Sequence, residues 1–393
     1  MIIKFSEHFF CPAPWKNMYY HINNATPCHV IKNNLKLGPD EYLKSDWLKN
    51  IKQDLINGVV PESCANCKSR EDQGLKSTRG AGWNYFNTGP EPSMDISGFK
   101  VDEEIQLRRL DIRTTNLCNF KCRMCTEDSS SEIAKEKQKF DIPVYLNSEK
   151  MDDSIYSSPL EHIEELKKLC LNETVNRVVF GGGEPLLIKD YYDFMDFLIE
   201  HDLNKRISIE LFSNCSVYNP KFVERLLKFK SVDFVMSIDG VGKTAEYLRH
   251  GTDWNVVKEN MLKFNSLPLN IWVNTAVSSY VLLDASSLAQ FLMELYSTND
   301  KIQSKCYTVP VAQKMHHKFL SKDLQNAVIN EIDKATEILT PKNYEIFATE
   351  LKNIKKYLKN NETTDSDMFV EFTKDLDLKR GESFEDTYGR KLV

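Results

Sequence analysis

Three cysteines crowd into eight residues of this chain, in the run Asp111-Ile-Arg-Thr-Thr-Asn-Leu-Cys118-Asn-Phe-Lys-Cys122-Arg-Met-Cys125. The spacing is C-x3-C-x2-C, with no fourth cysteine and no histidine close behind. A cubane 4Fe–4S cluster has four irons, and each takes a ligand. Three local thiolates would hold three irons and leave the fourth open to a ligand from outside the chain. An open position separates a chemical site from a closed structural one, as it does for zinc. The same residues could instead form a zinc knuckle.

Further polar groups follow at strand-like ends. Phe180-Gly181-Gly182-Gly183-Glu184-Pro185 combines glycines, which let a backbone come close to a ligand, with a carboxylate able to meet an ammonium. Phe212-Ser213-Asn214-Cys215 and Met236-Ser237-Ile238-Asp239-Gly240 end later runs. Asp239 is read either as a substrate contact or as a cap on the next helix, and Cys215 as a small buried filler. A second cysteine set lies upstream: Cys11, Cys28, and Cys64-Ala-Asn-Cys67. Four thiols make a closed site for zinc or an Fe–S cluster.

The elements that must position these groups alternate. Strand candidates are Leu107–Thr114, Arg177–Phe180, Ile207–Phe212, Phe234–Ile238, Ile271–Val277 and Cys306–Val311, with helical patterns between them such as Leu160, Ile163, Leu166, Leu169. This order predicts a parallel sheet with crossover helices, an incomplete version of the eight-unit barrel, with the chemistry at the C-terminal strand ends. Upstream, Met18–Ile22 is strand-like. Ser45–Gly58 reads as a helix through Trp47, Leu48, Ile51, Leu55 and Ile56, with Gly58 at its C-terminal end. Gly89–Gly98 has linker composition. Beyond residue 315 the chain turns helical and charged over Leu320–Leu339 and Tyr344–Leu358. His316-His317, lacking partners at ligand spacing, reads as a solvated pair.

The cysteine loop resembles the signature of the radical S-adenosylmethionine (radical SAM) enzymes, and the later motifs resemble theirs in turn. The resemblance implies a partial (β/α)6 TIM-like barrel. It also implies a cluster on Cys118, Cys122 and Cys125 whose open iron chelates SAM, with reductive cleavage to a 5′-deoxyadenosyl radical. By the same resemblance Gly182, Gly183 and Glu184 hold the SAM amino group and Arg249 its carboxylate, while Ser213, Asn214 and Ser237 lie near the ribose and methionine. Met124 packs near the adenine. The N-terminal cysteines resemble the auxiliary-cluster modules called SPASM and twitch domains, with Asn23 in place of their hairpin glycine and with the module ahead of the barrel rather than behind it. Cys11, Cys28, Cys64 and Cys67 would then hold a second 4Fe–4S cluster. The implied organisation is an auxiliary module over residues 1–100, a barrel core over 101–315 and a helical C-terminal extension over 316–393.

Composition sets the remaining expectations. At 393 residues, with 41% hydrophobic and 27% charged content, the chain has the balance of a globular protein with a large core. A net charge of −6 gives no footprint for nucleic acid. No apolar run reaches membrane-spanning length, and Met1–His8 lacks the pattern of a secretion signal. The expectation is a cytoplasmic protein whose ten cysteines serve metal or catalysis rather than disulfides. The expected activity is hydrogen abstraction from a peptide or protein side chain or a small metabolite, with a flavodoxin- or ferredoxin-type reductant. The competing expectations are an RNA-modifying relative and a non-catalytic zinc or Fe–S binding module.

Overall fold

A computed structural model describes residues 1–31, 35–72, 77–80, 93–102, 106–140, 156–309, 314–361 and 365–393. Residues 89–92 of the linker run 89–98, the end of the last strand candidate at 310–311, and residues 362–364 lie outside them.

The centre is one eight-stranded sheet. Its strands are β1 (Asn17–His21), β2 (Asn24–Thr26), β3 (Arg109–Arg113), β4 (Arg177–Phe180), β5 (Ser208–Ser213), β6 (Val232–Ser237), β7 (Asn270–Val277) and β8 (Gln303–Thr308). The spatial order is β8-β7-β6-β5-β4-β3-β1-β2. All neighbours are parallel except the β1–β2 hairpin. The six expected strands are therefore present in sequence order, as a mostly parallel sheet of the partial-barrel kind. The strand-like run at residue 18 adds a seventh parallel strand at the β3 edge, pairing Tyr19 with Asp111 and His21 with Arg113.

Helices cross over between these strands: Leu160–Leu169, Lys189–Glu200, Pro220–Leu226, Trp254–Asn265 and Ala285–Thr298. Their apolar stripes cover one sheet face. Side chains of a strand alternate between faces, so Leu110, Ile112, Val178, Phe180, Ile209 and Leu211 point to the helices and are fully buried. The opposite positions are unusually polar. Glu210 on β5 accepts from Arg177 on β4 at 2.9 Å and from Lys305 on β8 at 2.8 Å, and pairs with Arg109 on β3 at 3.3 Å. Arg177 also reaches Asp233 on β6 at 2.5 Å. Burial opposes the charge on Glu210, but the three cations outweigh it and hold the carboxyl down at about 2.

A smaller apolar cluster of Ile3, Phe9, Phe10, Trp15, Ile51, Leu55, Cys67 and Ile96 sits in the N-terminal part. Its helix Asp46–Ile56 starts where the Ser45 side chain accepts from Leu48 N, and ends before Gly58, which takes φ +75°. The hairpin between β1 and β2 departs from expectation: Ile22, not Asn23, takes the left-handed conformation, at φ +59°.

At the other end, Lys322–Ile338, Glu345–Asn360 and Asp367–Arg380 form the helical C-terminus. His316 and His317 are buried and ring-stacked at 4.0 Å, not solvated. Among the described residues no helix is long and apolar enough to cross a membrane.

Candidate active site at the strand ends

The cysteine loop leaves β3 and is tied down along its length. Asn116, fully buried, donates to Glu127 O at 2.9 Å and accepts from Tyr156 N at 2.9 Å. Ser131 Oγ both donates to Cys118 O and accepts from Cys118 N. Ser130 Oγ donates to Phe120 O at 2.6 Å. Lys121–Cys122 pairs antiparallel with Arg249–His250. Cys122 is buried, and Cys118 and Cys125 are half-buried.

Burial raises all three thiols, and their mutual proximity raises Cys118 and Cys125 further, the latter to about 12. Among the described residues no three or more His, Cys, Asp or Glu side chains form a group able to hold a metal ion as they stand. The donor set itself, three neighbouring thiols on a held loop, has the chemistry that a three-iron ligation requires.

The glycine run lies directly against this loop. Gly183 N donates to Thr115 O at 3.3 Å and Glu184 N to Leu117 O at 2.8 Å. Gly182 takes φ +98°, and a Cβ on Gly183 would stand 1.9 Å from Leu117 O. Close packing on the cysteine loop, and not only approach to a ligand, therefore demands glycine here.

Glu184 is buried and accepts from Ser213 Oγ at 2.8 Å, Asn214 N at 2.7 Å and Leu186 N at 3.2 Å. Burial pushes its carboxyl up to about 7 despite these donors. Asn214 Nδ2 donates to Asn119 Oδ1 at 3.1 Å and lies 4.0 Å from Cys118 Sγ. The ends of β4 and β5 and the cysteine loop thus form one hydrogen-bonded unit. Cys215, buried at φ +59°, points its S–H to Ser213 O at 3.8 Å, consistent with a filler.

Ser237 is half-buried at the end of β6, in register with Asn274 on β7, which the alternation puts on the same lumen-side face. Asp239 does not cap the next helix. It accepts from Ala276 N at 2.7 Å and pairs with Arg249 Nη2 at 2.5 Å. Arg249 Nη1 lies 3.9 Å from Cys122 Sγ. Met124 is half-buried against the main core.

The four N-terminal cysteines come from three segments: the stretch before Ala13–Lys16, the stretch after β2, and the turn into Ala65–Asp72. Burial raises Cys11, and Cys28, Cys64 and Cys67 all add to that shift, so the four share one neighbourhood. Burial takes Cys28 up to about 11 and Cys64 to about 12. Buried Arg79 brackets the group. It pairs with Glu71 at 2.6 Å, donates to Phe10 O at 3.2 Å and stacks 3.8 Å from the Phe5 ring.

Several residues at the site escape a motif reading. Arg113 lies 5.1 Å from the Tyr19 ring and packs on Gly181. Period-2 counting from Asp111 could have placed it. Tyr307 on β8, half exposed, stands in register with Ala276, whose N–H donates to Asp239. Arg123, between two of the cysteines, is buried by the C-terminal segment, and nothing local signals that.

The family model described as "Radical SAM superfamily" matches residues 112–283. Among curated proteins, the GTP 3′,8-cyclase of Helicobacter pylori is 25% identical over 103 residues, covering 26% of this chain and 26% of that protein. That of Campylobacter lari is 23% identical over 155 residues, covering 39% of each. The chain thus spans well under half the length of these relatives. Among solved structures, Streptococcus suis SuiB bound to S-adenosylmethionine aligns with TM-score 0.39 and 17% identity over 58% of this chain and 48% of that one. TYW1 with a lysine-pyruvate adduct aligns with TM-score 0.33 and 14% identity over 57% and 70%.

Proposed function

We propose, from the match of residues 112–283 to the radical SAM superfamily model, that this chain abstracts hydrogen from a peptide or protein side chain or a small metabolite. The single observation that carries this reading is the hydrogen-bonded unit of cysteine loop, Gly181–Glu184 and Ser213–Asn214 at the C-terminal strand ends. Cys118, Cys122 and Cys125 would hold the cluster. When bound, a 4Fe–4S cluster with SAM supplies a 5′-deoxyadenosyl radical strong enough to take hydrogen from an unactivated C–H bond.

The chain's own part is placement and exclusion of water. Glu184, fixed by three donors, presents a carboxyl to the amino group of the cofactor. Arg249 offers its planar guanidinium to the carboxylate, exchanging its present partner Asp239. Ser213, Asn214 and Ser237 would lie near the ribose and methionine, and Met124 would pack near the adenine. The charged layer around Glu210 fills the lumen below, so the chemistry stays at the mouth. Cys11, Cys28, Cys64 and Cys67 are proposed to bind a second 4Fe–4S cluster that accepts the electron left on an oxidised substrate. A flavodoxin- or ferredoxin-type protein is the proposed reductant. We assign residues 1–100 to the auxiliary module, 101–315 to the core and 316–393 to the extension.

Anaerobic purification with metal analysis and assay of reductive SAM cleavage tests this. The expected result is about eight irons per chain, and loss of 5′-deoxyadenosine formation in each of Cys118→Ala, Cys122→Ala and Cys125→Ala. Zinc without iron, or cleavage persisting in all three variants, refutes the reading.

A further inference from the structure

The C-terminal extension lies outside the stretch that matches the family, yet the end of its helix Asp367–Arg380 and the turn after it reach the back of the cysteine loop. Arg123, between Cys122 and Cys125, has a fully buried side chain. Its Nη2 donates to Asp377 Oδ1 at 2.5 Å and to Glu382 Oε2, and its Nε to Tyr247 O at 3.0 Å. The guanidinium carbon lies over the Tyr247 ring, 3.6 Å from its centre.

Both carboxylates are themselves oriented. Asp377 accepts from Tyr247 Oη and Phe384 N, each at 2.8 Å, and Glu382 contacts His250 Nδ1 at 2.6 Å. His250 is the strand partner of Lys121, which brings the network back to the loop. A second tie runs alongside: Arg380 grips Glu136 at 2.7 Å, and Glu136 also pairs with Lys121 at 3.2 Å.

We propose that Asp377 and Glu382 are positioning residues that act through Arg123 to fix the separation of Cys118, Cys122 and Cys125, making the extension part of the cluster seat. A buried guanidinium with two carboxylates and an aromatic face adds little net stability, but it admits one geometry, and removing a partner leaves an uncompensated charge. The proposal rests on the reading of the three cysteines as cluster ligands, but its first readout does not.

That readout is amide hydrogen exchange of residues 118–126 in metal-free full-length protein. The comparison is wild type against the Asp377→Asn/Glu382→Gln double variant and against Arg123→Lys, which keeps the charge and loses the fork. Exchange across the loop is expected to rise at least about tenfold in both variants, because each weakens one or more charge-assisted hydrogen bonds, while the helices Lys189–Glu200 and Ala285–Thr298 keep wild-type protection. After anaerobic reconstitution, both variants should take up less iron in the SAM-binding cluster and change the electron paramagnetic resonance line shape of its reduced form. Should the double variant fail to fold, Arg123→Lys decides alone. Unchanged exchange, or an unchanged cluster signal from a loosened loop, overturns the proposal. A wild type that takes up no cluster sinks the functional reading instead, and the exchange result still judges the clamp.

Discussion

Gly183→Ala isolates the contact between the glycine run and the cysteine loop. The added Cβ would stand 1.9 Å from Leu117 O, 2.3 Å from Leu117 C and 2.8 Å from Asn116 C, all backbone atoms. Restoring van der Waals separation requires the loop to back away by about 1.5 Å, just before Cys118. That displacement breaks the bonds from Glu184 N to Leu117 O and from Gly183 N to Thr115 O. Overpacking of this kind, with two backbone hydrogen bonds lost, costs about 3 kcal/mol. Gly181→Ala is the control, because its Cβ meets only the movable guanidinium of Arg113 at 3.2 Å, a cost under about 1 kcal/mol. Urea unfolding of the metal-free proteins measures both, read as a midpoint shift at unchanged slope. Iron content after reconstitution reports whether Cys118 has moved. A Gly183→Ala protein as stable as the control and fully loaded would show that the close approach does not constrain the loop.

Other outcomes follow from the same geometry. Glu210 is held down at about 2 from 4.5, so its share of the stability is present above about pH 4.5 and lost as pH falls towards 2. That share is about 3 kcal/mol, and the stability gap between wild type and Glu210→Gln should close over this window in pH-dependent urea melts. Cys215→Gly should be within about 1 kcal/mol of neutral, because relief of the left-handed backbone offsets the small lost side chain. Its iron content should stay at wild type; a loss would give that thiol a functional role. Arg79→Met takes the cation from half-buried Glu71, which among the described residues keeps only Ser77 Oγ as a donor, and unties the Phe10 carbonyl next to Cys11. It should destabilise the N-terminal part by about 3 kcal/mol, and Cys11 and Cys67 should react faster with a maleimide in metal-free protein, read by mass spectrometry.

What could be read from sequence was whatever is local. The core strands declare themselves by apolar runs such as Val178–Phe180 and Phe234–Met236, and Ser45 and Gly58 mark the ends of one helix through their own chemistry. The cysteine spacing and the residues at strand ends were legible for the same reason. Pairing across the chain was not. Nothing in Asn17–His21 says that its neighbour begins at Arg109, since a five-residue strand specifies an exposed edge and not a partner. Nor could propensity have chosen Ile22 over Asn23 for the left-handed turn. Ile22 tolerates φ +59° because its side chain is buried, its N–H donates to Arg113 O at 2.7 Å and its carbonyl accepts from Tyr20 Oη. Tertiary contacts override the local preference that favours asparagine.

Two of the arginines outside the motifs, Arg79 and Arg123, share one logic. Arg79 joins the segment carrying Cys11 to the helix carrying Cys67, through Phe10 O and Glu71. Arg123 joins the triad loop to Tyr247, Asp377 and Glu382. Each is buried, each meets a carboxylate, and each sits over an aromatic ring, Phe5 or Tyr247. Lysine cannot satisfy that set, because an ammonium has neither the planar fork nor the stacking face. A metal can draw loose thiols together, but then the loading step must also supply the ordering of the loop. With the brackets in place that ordering belongs to the polypeptide, and the proposed clamp on the triad loop is supplied by a residue 259 positions from Arg123 in the chain.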